Sequence, residues 1–216
     1  MKTKLVLVSA MVFASFLATG QTFIYENFSS GQMPPQGWSL AGLSQQWSIS
    51  QSNNAGGTAP EAMFSYINQN TTTRLISPSI DLTSLTTISL NFRHYYDFYS
   101  NPAPKLGVAT RANPMATWSS VWEISPTGNV GPVQVNVDIS NSSVGSSTFQ
   151  FCFYLTGNMY NLDFWYLDDV ILINPLNLDG FLVSLSQTPV YFSLPTEVKG
   201  TIMNAGVSPI NSAEVA

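Results

Sequence analysis

Carboxylates flank the apolar part of this chain and are its first candidates for chemistry. Glu26 follows the first apolar stretch after the N-terminal region, and Asp168 and Asp169 are adjacent within a long apolar run. Carboxylate and backbone carbonyl oxygens are the ligands of Ca²⁺, which accepts roughly six to eight of them. If the fold brings these three side chains together, they predict a structural calcium site. The alternative is that Asp168 and Asp169 accept hydrogen bonds from backbone groups at a strand end.

A second group of polar and aromatic residues alternates along one segment. Asn91, Arg93, Tyr95 and Asp97 fall two residues apart, with Tyr99 nearby. An aromatic ring can stack on the apolar face of a sugar while amides and charges bond its hydroxyls, so this pattern favours a shallow ligand-binding or carbohydrate surface. The simpler interpretation is an exposed strand face on which Arg93 and Asp97 form a weak surface pair.

The chain contains one histidine, His94, and one cysteine, Cys152. It therefore has no internal disulfide, no Cys/His zinc cage and no Cys-x-x-Cys redox pair. A Ser/His/Asp hydrolase has no support either, because there is no Gly-x-Ser-x-Gly motif and His94 alternates in phase with apolar residues. A hydrolase that uses two carboxylates about 5 to 10 Å apart is a further alternative, but we expect no enzyme activity.

The amino-acid composition argues against a disordered chain and against a nucleic-acid-binding protein. Of the 216 residues, 9% are charged, 44% are hydrophobic and 12% are aromatic, whereas about 25% charged residues are usual in soluble domains. Such a chain can bury a large core and is not expected to be disordered. Its formal charge of −5 leaves no basic surface for phosphate backbones, so we expect no nucleic-acid partner.

The N-terminal segment has the pattern of an export signal. Lys2 and Lys4 precede an uncharged run over residues 5–18, and the small residues Ala18 and Gly20 lie near its end. We predict a cleavable signal peptide over residues 1–20 and a secreted or cell-surface location. The run is shorter than the roughly 20 residues that cross a bilayer, and no later segment qualifies as a membrane span.

The remaining chain alternates with period two rather than with a helical period. In residues 86–98, for example, Ile88, Leu90, Phe92 and His94 share one face and the polar strip occupies the other. Strands are predicted at residues 22–28, 46–50, 62–66, 74–82, 86–98, 105–112, 118–124, 133–139, 148–155 and 164–173. Short strands without helical crossovers predict an all-β fold, an antiparallel β-sandwich or jelly roll.

Turn residues separate these strands and also mark a domain boundary. Gly131-Pro132 and Gly157-Asn158 are among the predicted strand breakers, and Trp118 and Trp122 are expected to share one strand face. A polar stretch at residues 174–180 ends the pattern. We predict a sandwich domain over residues 21–176 and the truncated start of an immunoglobulin-like domain over residues 181–216, which is too short for the whole fold.

Several segments, taken in order, resemble one family. They are Tyr25-Glu26-Asn27-Phe28, the segment from Met33 to Trp38, Trp47, the segment from Leu75 to Leu82, the segment from Leu90 to Tyr95, and Tyr166-Leu167-Asp168-Asp169-Val170. Together they resemble the cleaved-adhesin or choice-of-anchor J domain of exported Bacteroidetes proteins, which is similar to the MAM jelly roll. The resemblance covers residues 22–174, and the following segment resembles the immunoglobulin-like repeats that trail such domains.

The resemblance implies a secreted or surface-exposed, non-catalytic adhesion or recognition module of a larger bacterial protein. Its partner would be an extracellular protein or a glycan, and the alternative is a carbohydrate-binding module attached to a catalytic domain outside this sequence. In jelly rolls of this kind the first and last strands are neighbours, which would bring Glu26 towards Asp168 and Asp169 around a structural Ca²⁺. The oligomeric state cannot be inferred from the sequence.

Overall fold

The computed structural model describes residues 21–175 and, as backbone only, residues 180–187 and 198–204. Within residues 21–175 the alternating pattern forms eleven β-strands. The predicted signal peptide and most of the segment after residue 176 lie outside the described residues. The strands are β1 (Gln21–Glu26), β2 (Ser39–Ala41), β3 (Trp47–Ser50), β4 (Glu61–Ser65), β5 (Asn70–Ile76), β6 (Ile88–Phe98), β7 (Lys105–Arg111), β8 (Ser119–Ile124), β9 (Val130–Ile139), β10 (Gln150–Asn158) and β11 (Leu162–Asn174).

The strands form two antiparallel sheets, which confirms the predicted β-sandwich. Sheet I has the order β3-β4-β11-β6-β9, and β1 also pairs with β11; sheet II has the order β2-β5-β10-β7-β8. On one side of β11, β4 pairs with residues 164–167 and β1 with residues 170–174. On the other side, β6 pairs along most of the length of β11. Strand β11 therefore has three partners, and β4 and β1 meet next to Asp168 and Asp169.

Aromatic side chains from both sheets fill the space between them. Phe92 of sheet I packs edge-on against Phe153 of sheet II with ring centroids 4.9 Å apart, and Phe153 also contacts Trp165 at 6.3 Å. All three are fully buried. Burying one large apolar side chain contributes about 1.5 to 3 kcal/mol, so this interface is the main source of stability. The predicted phase of β6 is confirmed, since Ile88, Leu90, Phe92, His94 and Tyr96 are all buried.

Two predicted strand breakers lie inside strands. Gly131 and Pro132 belong to β9, an edge strand, where a proline without an N–H disrupts little of the ladder. Gly131 has φ 91°, and a Cβ there would overlap the carbonyl oxygen of His94, next to a register shift between β6 and β9. Glycine is thus required at this bulge. Gly157, with φ 131°, lies near the end of β10.

A bulge also overturns the expectation for the two tryptophans. In β8, Trp122 pairs with Val108 and Ser120 with Ala109, so Val121 is an extra residue and the alternation reverses. Trp122 packs in the core against Phe92, with ring centroids 5.4 Å apart. Trp118 packs with the separate cluster around Cys152 and lies under the Arg111 guanidinium at 4.3 Å. The two rings therefore do not share a strand face.

Other elements differ in extent from their predicted bounds. The strand predicted over residues 74–82 begins at Asn70 and ends at Ile76, just before Ser77-Pro78, and only Ile80 forms an isolated bridge further on. Strand β2 was not predicted because three residues are too short to show alternation. Beyond residue 175, Gly180–Gln187 and Val198–Asn204 pair as antiparallel strands. The immunoglobulin-like assignment of this segment stays a prediction. Among the described residues, no helix has the length and apolar character needed to cross a membrane.

The only imidazole is part of the core. His94 is 1% exposed and contacts Phe92 and Trp122, with ring centroids 5.8 and 5.4 Å away, and its Nδ1 has no hydrogen-bond partner. Burial lowers the pKa of His94 to about 4. The ring is therefore neutral at pH 7. Its position in the alternation of β6 predicted this burial, and the ring packs as an aromatic side chain. However, its Nδ1 lacks the hydrogen bond expected of a core histidine.

We expect His94→Phe to remove acid sensitivity. The folded pKa lies below the unfolded value of about 6.5, so the unfolded state binds the proton first and stability falls as the pH drops from 6.5 towards 4. The variant should gain up to roughly 2 kcal/mol over the parent between pH 7 and pH 5. Urea unfolding at each pH measures the difference. Tyr96→Phe, a buried aromatic change with no titration in this range, is the control, and a pH-independent difference for His94→Phe would contradict the assignment.

Candidate functional site

The outer face of sheet I carries the polar strip predicted from the sequence. Asn91, Arg93, Tyr95 and Asp97 are all partly exposed on β6, while the residues between them are buried. Strand β6 lies between β11 and β9, so side chains from both neighbours border the strip. The structure divides the four residues into two pairs with different surroundings.

Asn91 and Arg93 line a hollow of about 290 Å³, which we call the polar hollow. It lies where β1, β11, β6 and β9 present their outer side chains, and it is bordered by Tyr25, Asn91, Arg93, Gln134, Asp169 and Ile171. The Tyr25 side chain is 62% exposed, so its ring is accessible to a ligand. One aromatic ring, two amides, a guanidinium and a carboxylate therefore surround one open concavity.

An irregularity in β11 places Asp169 in this hollow. The pairing of β11 with β6 shifts between Asp168 and Ile171, and Asp169 has φ 49°, in the left-handed region. Consecutive carboxylates consequently have different environments: Asp168 is fully buried, and Asp169 lies at the surface, 3.3 Å from Arg93 Nε. Both members of this pair are about one-third exposed, so the pair adds little stability and its outer lone pairs and N–H groups face solvent.

Tyr95 and Asp97 lie further along β6, beside an aromatic row. The Tyr95 hydroxyl accepts a hydrogen bond from Asn129 Nδ2 at 3.0 Å, and its ring lies 6.1 Å from that of Tyr166. Tyr166 in turn contacts Phe164 at 5.8 Å, opposite Asp97. The structure thus confirms that all four predicted residues share a face, but only two of them line the hollow.

Sequence reasoning did not include three of the hollow's five polar side chains, those of Tyr25, Gln134 and Asp169, among the ligand-binding candidates. Tyr25 is adjacent to Glu26, and the family resemblance places the first and last strands side by side, but nothing in the sequence indicates the bulge in β11 beside them. Gln134 pairs with Arg93 across β9, and Asp169 was assigned to a cation instead. A search for exposed aromatic residues beside predicted strand ends would have found Tyr25 but not its partners.

The three predicted calcium ligands are placed as follows. The Glu26 carboxylate accepts a hydrogen bond from the backbone N–H of Phe28 at 2.6 Å, and Asp169 pairs with Arg93. Asp168 Oδ1 accepts from the backbone N–H of Asp169 at 2.8 Å. Among residues 21–175, no three His, Cys, Asp or Glu side chains are grouped so as to hold a metal ion. The calcium site stays a prediction.

Asp168 is nevertheless an unusual carboxylate. It is fully buried, and its Oδ2 has no hydrogen-bond partner. Burial raises its pKa to about 6, with the charges of Asp169 and Glu61 contributing in the same direction. A Cβ on Gly57 would overlap Oδ2, so only glycine fits in the loop that covers it. An unpartnered carboxylate oxygen of this kind fits one ligand of a hard cation.

Glu61 is the buried acid that the sequence analysis missed. It begins β4 and is fully buried, and its carboxylate accepts hydrogen bonds from Ser52 Oγ at 2.7 Å and from the backbone N–H groups of Asn54 at 2.6 Å and Ala55 at 2.7 Å. These bonds hold the loop at residues 51–60 against the sheet. Its role is therefore to position the loop that covers Asp168.

The fold is similar to solved structures of two kinds of binding domain. The K2 cleaved adhesin domain of Lys-gingipain aligns with TM-score 0.51 and 18% identity, over 70% of this chain and 97% of that one. The K3 cleaved adhesin domain of Lys-gingipain from Porphyromonas gingivalis aligns with TM-score 0.50 and 17% identity, over 71% and 98%. A structure concerning the promiscuous specificity of carbohydrate-binding modules from the β-sandwich superfamily aligns with TM-score 0.52 and 12% identity, over 73% of this chain and 64% of that one. No protein-family model matches the chain, and no curated protein matches its sequence.

We expect Asp168→Asn to stabilise the protein in the presence of a chelator. The folded pKa of about 6 lies above the ordinary value, so parent stability falls as the pH rises through 4 to 6 and the penalty is complete above 6. The variant should exceed the parent by roughly 2 to 3 kcal/mol at pH 7 and by little at pH 4. Urea unfolding measures both, and Asp138→Asn, at an exposed position, is the control.

Calcium removes this difference if Asp168 is a ligand. Saturating Ca²⁺ should then stabilise the parent by about 2 to 3 kcal/mol at a hundredfold excess over its dissociation constant and leave Asp168→Asn unchanged. An unchanged parent midpoint would contradict the calcium prediction. A parent more stable than Asp168→Asn in chelator at pH 7 would contradict the desolvation argument.

Proposed function

We propose that this chain is a non-catalytic adhesion or recognition module of an exported bacterial protein, related to the cleaved-adhesin and choice-of-anchor J domains. The polar hollow on the outer face of sheet I is the observation that carries the proposal. The fold likeness to cleaved adhesin domains supports it, as do the sequence segments that resemble that family. The cleavable signal at residues 1–20 is part of the same proposal.

The hollow has the properties of a binding surface rather than of a reaction centre. Its carboxylate, Asp169, is paired with Arg93 at 3.3 Å, so the two charges compensate each other. The adjacent carboxylate, Asp168, is fully buried beneath the loop at residues 51–60. General acid-base catalysis needs an accessible carboxyl group within hydrogen-bond reach of the reacting atoms. Asp169 is engaged by Arg93 and Asp168 is covered, so the hollow offers hydrogen-bond donors and acceptors instead.

Rigidity supports the same interpretation. Asn91, Arg93 and Gln134 lie on paired strands of a six-stranded sheet, above a core that includes the fully buried Phe92 and Leu172. The backbone of such a support does not have to be ordered when a ligand binds, which limits the entropic cost of recognition to the side chains. Only Tyr25 lies on the shorter strand β1.

A carbohydrate is the second candidate, favoured by the exposed Tyr25 ring. A ring beside two amides and a guanidinium matches the needs of a sugar, which presents an apolar face and a rim of hydroxyls. The fold likeness to carbohydrate-binding modules of the β-sandwich superfamily supports this alternative. The module would then serve a catalytic domain elsewhere in the protein. Extracellular proteins remain the first candidate because the hollow is shallow and contains a charged pair.

Arrays of glycans and of extracellular-matrix proteins, probed in parallel with the purified chain, test the proposal. We expect retention by one array. Arg93→Ala and Tyr25→Ala should each reduce it at least fivefold, because truncation of a hot-spot residue costs more than about 1 kcal/mol. If the glycan array retains the parent and both variants lose this retention, the result would favour the carbohydrate alternative.

Two matched variants control for charge and for aromatic loss. Lys105→Ala removes one positive charge from sheet II, where Lys105 pairs with Glu123 at 2.7 Å, and Tyr66→Ala removes an exposed ring outside the hollow. Both should bind as the parent does. Retention unaffected by Arg93→Ala and Tyr25→Ala, or turnover of an arrayed ligand, would overturn the proposed function.

A further inference from the structure

Three tyrosines form a second concavity at one end of the sandwich. Tyr66 follows β4, Tyr99 follows β6, and Tyr160 lies in the 3-10 turn between β10 and β11; with Asp163 they line a cleft of about 220 Å³. The tyrosine side chains are 51%, 54% and 43% exposed, which is high for large aromatic residues. We call this cleft the tyrosine box. None of its residues belongs to the polar hollow.

The ring of Tyr160 lies nearly perpendicular to each of the other two rings. The ring of Tyr160 lies 6.3 Å from that of Tyr66 at an interplanar angle of 83°, and 5.6 Å from that of Tyr99 at 85°. Each ring has an electron-rich face and an electron-poor edge. Because all three rings line the cleft, a ligand bound there contacts more than one of them. This arrangement favours a cation, because ring faces attract positive charge within about 6 Å of their centroids.

Hydrogen bonds to one turn hold the box in place. The backbone N–H of Tyr66 donates to the carbonyl oxygen of Asp163 at 3.1 Å, and that of Tyr160 donates to Asn158 Oδ1 at 3.1 Å. The nearly buried Asn161 accepts from Ser100 Oγ at 2.9 Å, which ties the residue after Tyr99 to the same turn. The backbone that carries the three rings is therefore fixed before a ligand binds, and this limits the entropic cost of binding.

The electrostatics of the box also favour a cation. Within residues 21–175 the ion pairs are Arg93–Asp169 and Lys105–Glu123, so Asp163 and the nearby Asp97 have no cationic partner there. Burial raises the pKa of Asp97, and the charge of Asp163 raises it further, which shows that the two carboxylates act on the same region. A positive ligand would relieve this repulsion.

We propose that the tyrosine box is a binding site for a quaternary ammonium group of the choline type. Such a group presents a methylated, weakly hydrated surface to the three rings and carries a charge that Asp163 compensates. A lysine ammonium is a compact and strongly hydrated charge, which it would have to dehydrate in the box. The cleft has the volume of roughly seven water molecules in the liquid, which is enough for a headgroup of five heavy atoms.

Isothermal titration of the purified chain with choline and with its neutral isostere 3,3-dimethylbutan-1-ol tests the assignment. The two ligands have the same shape and differ in charge. We expect choline to bind at least tenfold more tightly than the alcohol, and more tightly than Nα-acetyl-lysine methyl ester or methyl pyranosides. Equal binding of the alcohol, tighter binding of the lysine derivative or of a sugar, or no binding of choline would each overturn the proposal.

Variants locate the site. Tyr160→Leu keeps apolar volume but removes the shared ring and should weaken choline binding at least tenfold, whereas Tyr160→Phe should stay within about threefold of the parent. Tyr99→Leu is a second test if Tyr160→Leu fails to fold, as judged by its unfolding midpoint. Asp163→Asn should weaken binding and reduce its salt dependence.

Tyr25→Leu is the matched control, because it replaces an exposed tyrosine in the polar hollow. It should bind choline as the parent does. Binding lost in Tyr25→Leu but kept in Tyr160→Leu would place choline in the hollow and overturn this assignment. The adhesion proposal would be unaffected, since its own variants and arrays are different.

Discussion

The pairing of one strand with three others is the constraint on which both the fold and the outer surface depend. Strand β11 pairs with β6 along most of one side, and β4 and β1 share the other. Two separate strands cannot continue one ladder without an interruption, and the interruption falls at Asp168 and Asp169. The register shift there sends one carboxylate into the protein and the next to the surface. The polar hollow therefore exists because β11 is irregular at this point.

The buried polar groups follow from the same interruption. Asp168 lies between the parts of β11 that pair with β4 and with β1. The loop at residues 51–60 covers it, held by the three hydrogen bonds to Glu61. Glu61 is satisfied by these bonds, whereas Asp168 Oδ2 is not. A satisfied buried carboxylate stabilises a loop, and an unsatisfied one costs free energy until a proton or a cation compensates it. Neighbouring acids thus have opposite effects on stability.

The sequence predicted the fold better than it predicted the site. Alternation along β6 identified the core face because every second residue there is buried, and turn residues separated most strands correctly. Bulges escaped prediction: one extra residue at Val121 reversed the faces of Trp118 and Trp122, and the shift after Asp168 separated it from Asp169. A bulge depends on the partner strand, which a single chain segment does not specify.

The site was predicted only where it lies on one strand. Asn91, Arg93, Tyr95 and Asp97 were found together because they alternate along β6. Tyr25 and Gln134 join them through pairings between residues far apart in the chain, and the tyrosine box unites three loops in the same way. Local pattern identifies the residues of an element, but a concavity is assembled from several elements.

The bulge in β9 also has a bearing on how this protein behaves at high concentration. An edge strand exposes unpaired backbone groups, to which a strand of another molecule can attach. In β9 the sequence Gly131-Pro132 lacks one backbone donor and lies at a register shift, and the outward positions that follow carry the polar residues Gln134, Asn136 and Asp138. This border of sheet I is thereby a poor template for intermolecular β-pairing, which protects a domain rich in aromatic strands from aggregation.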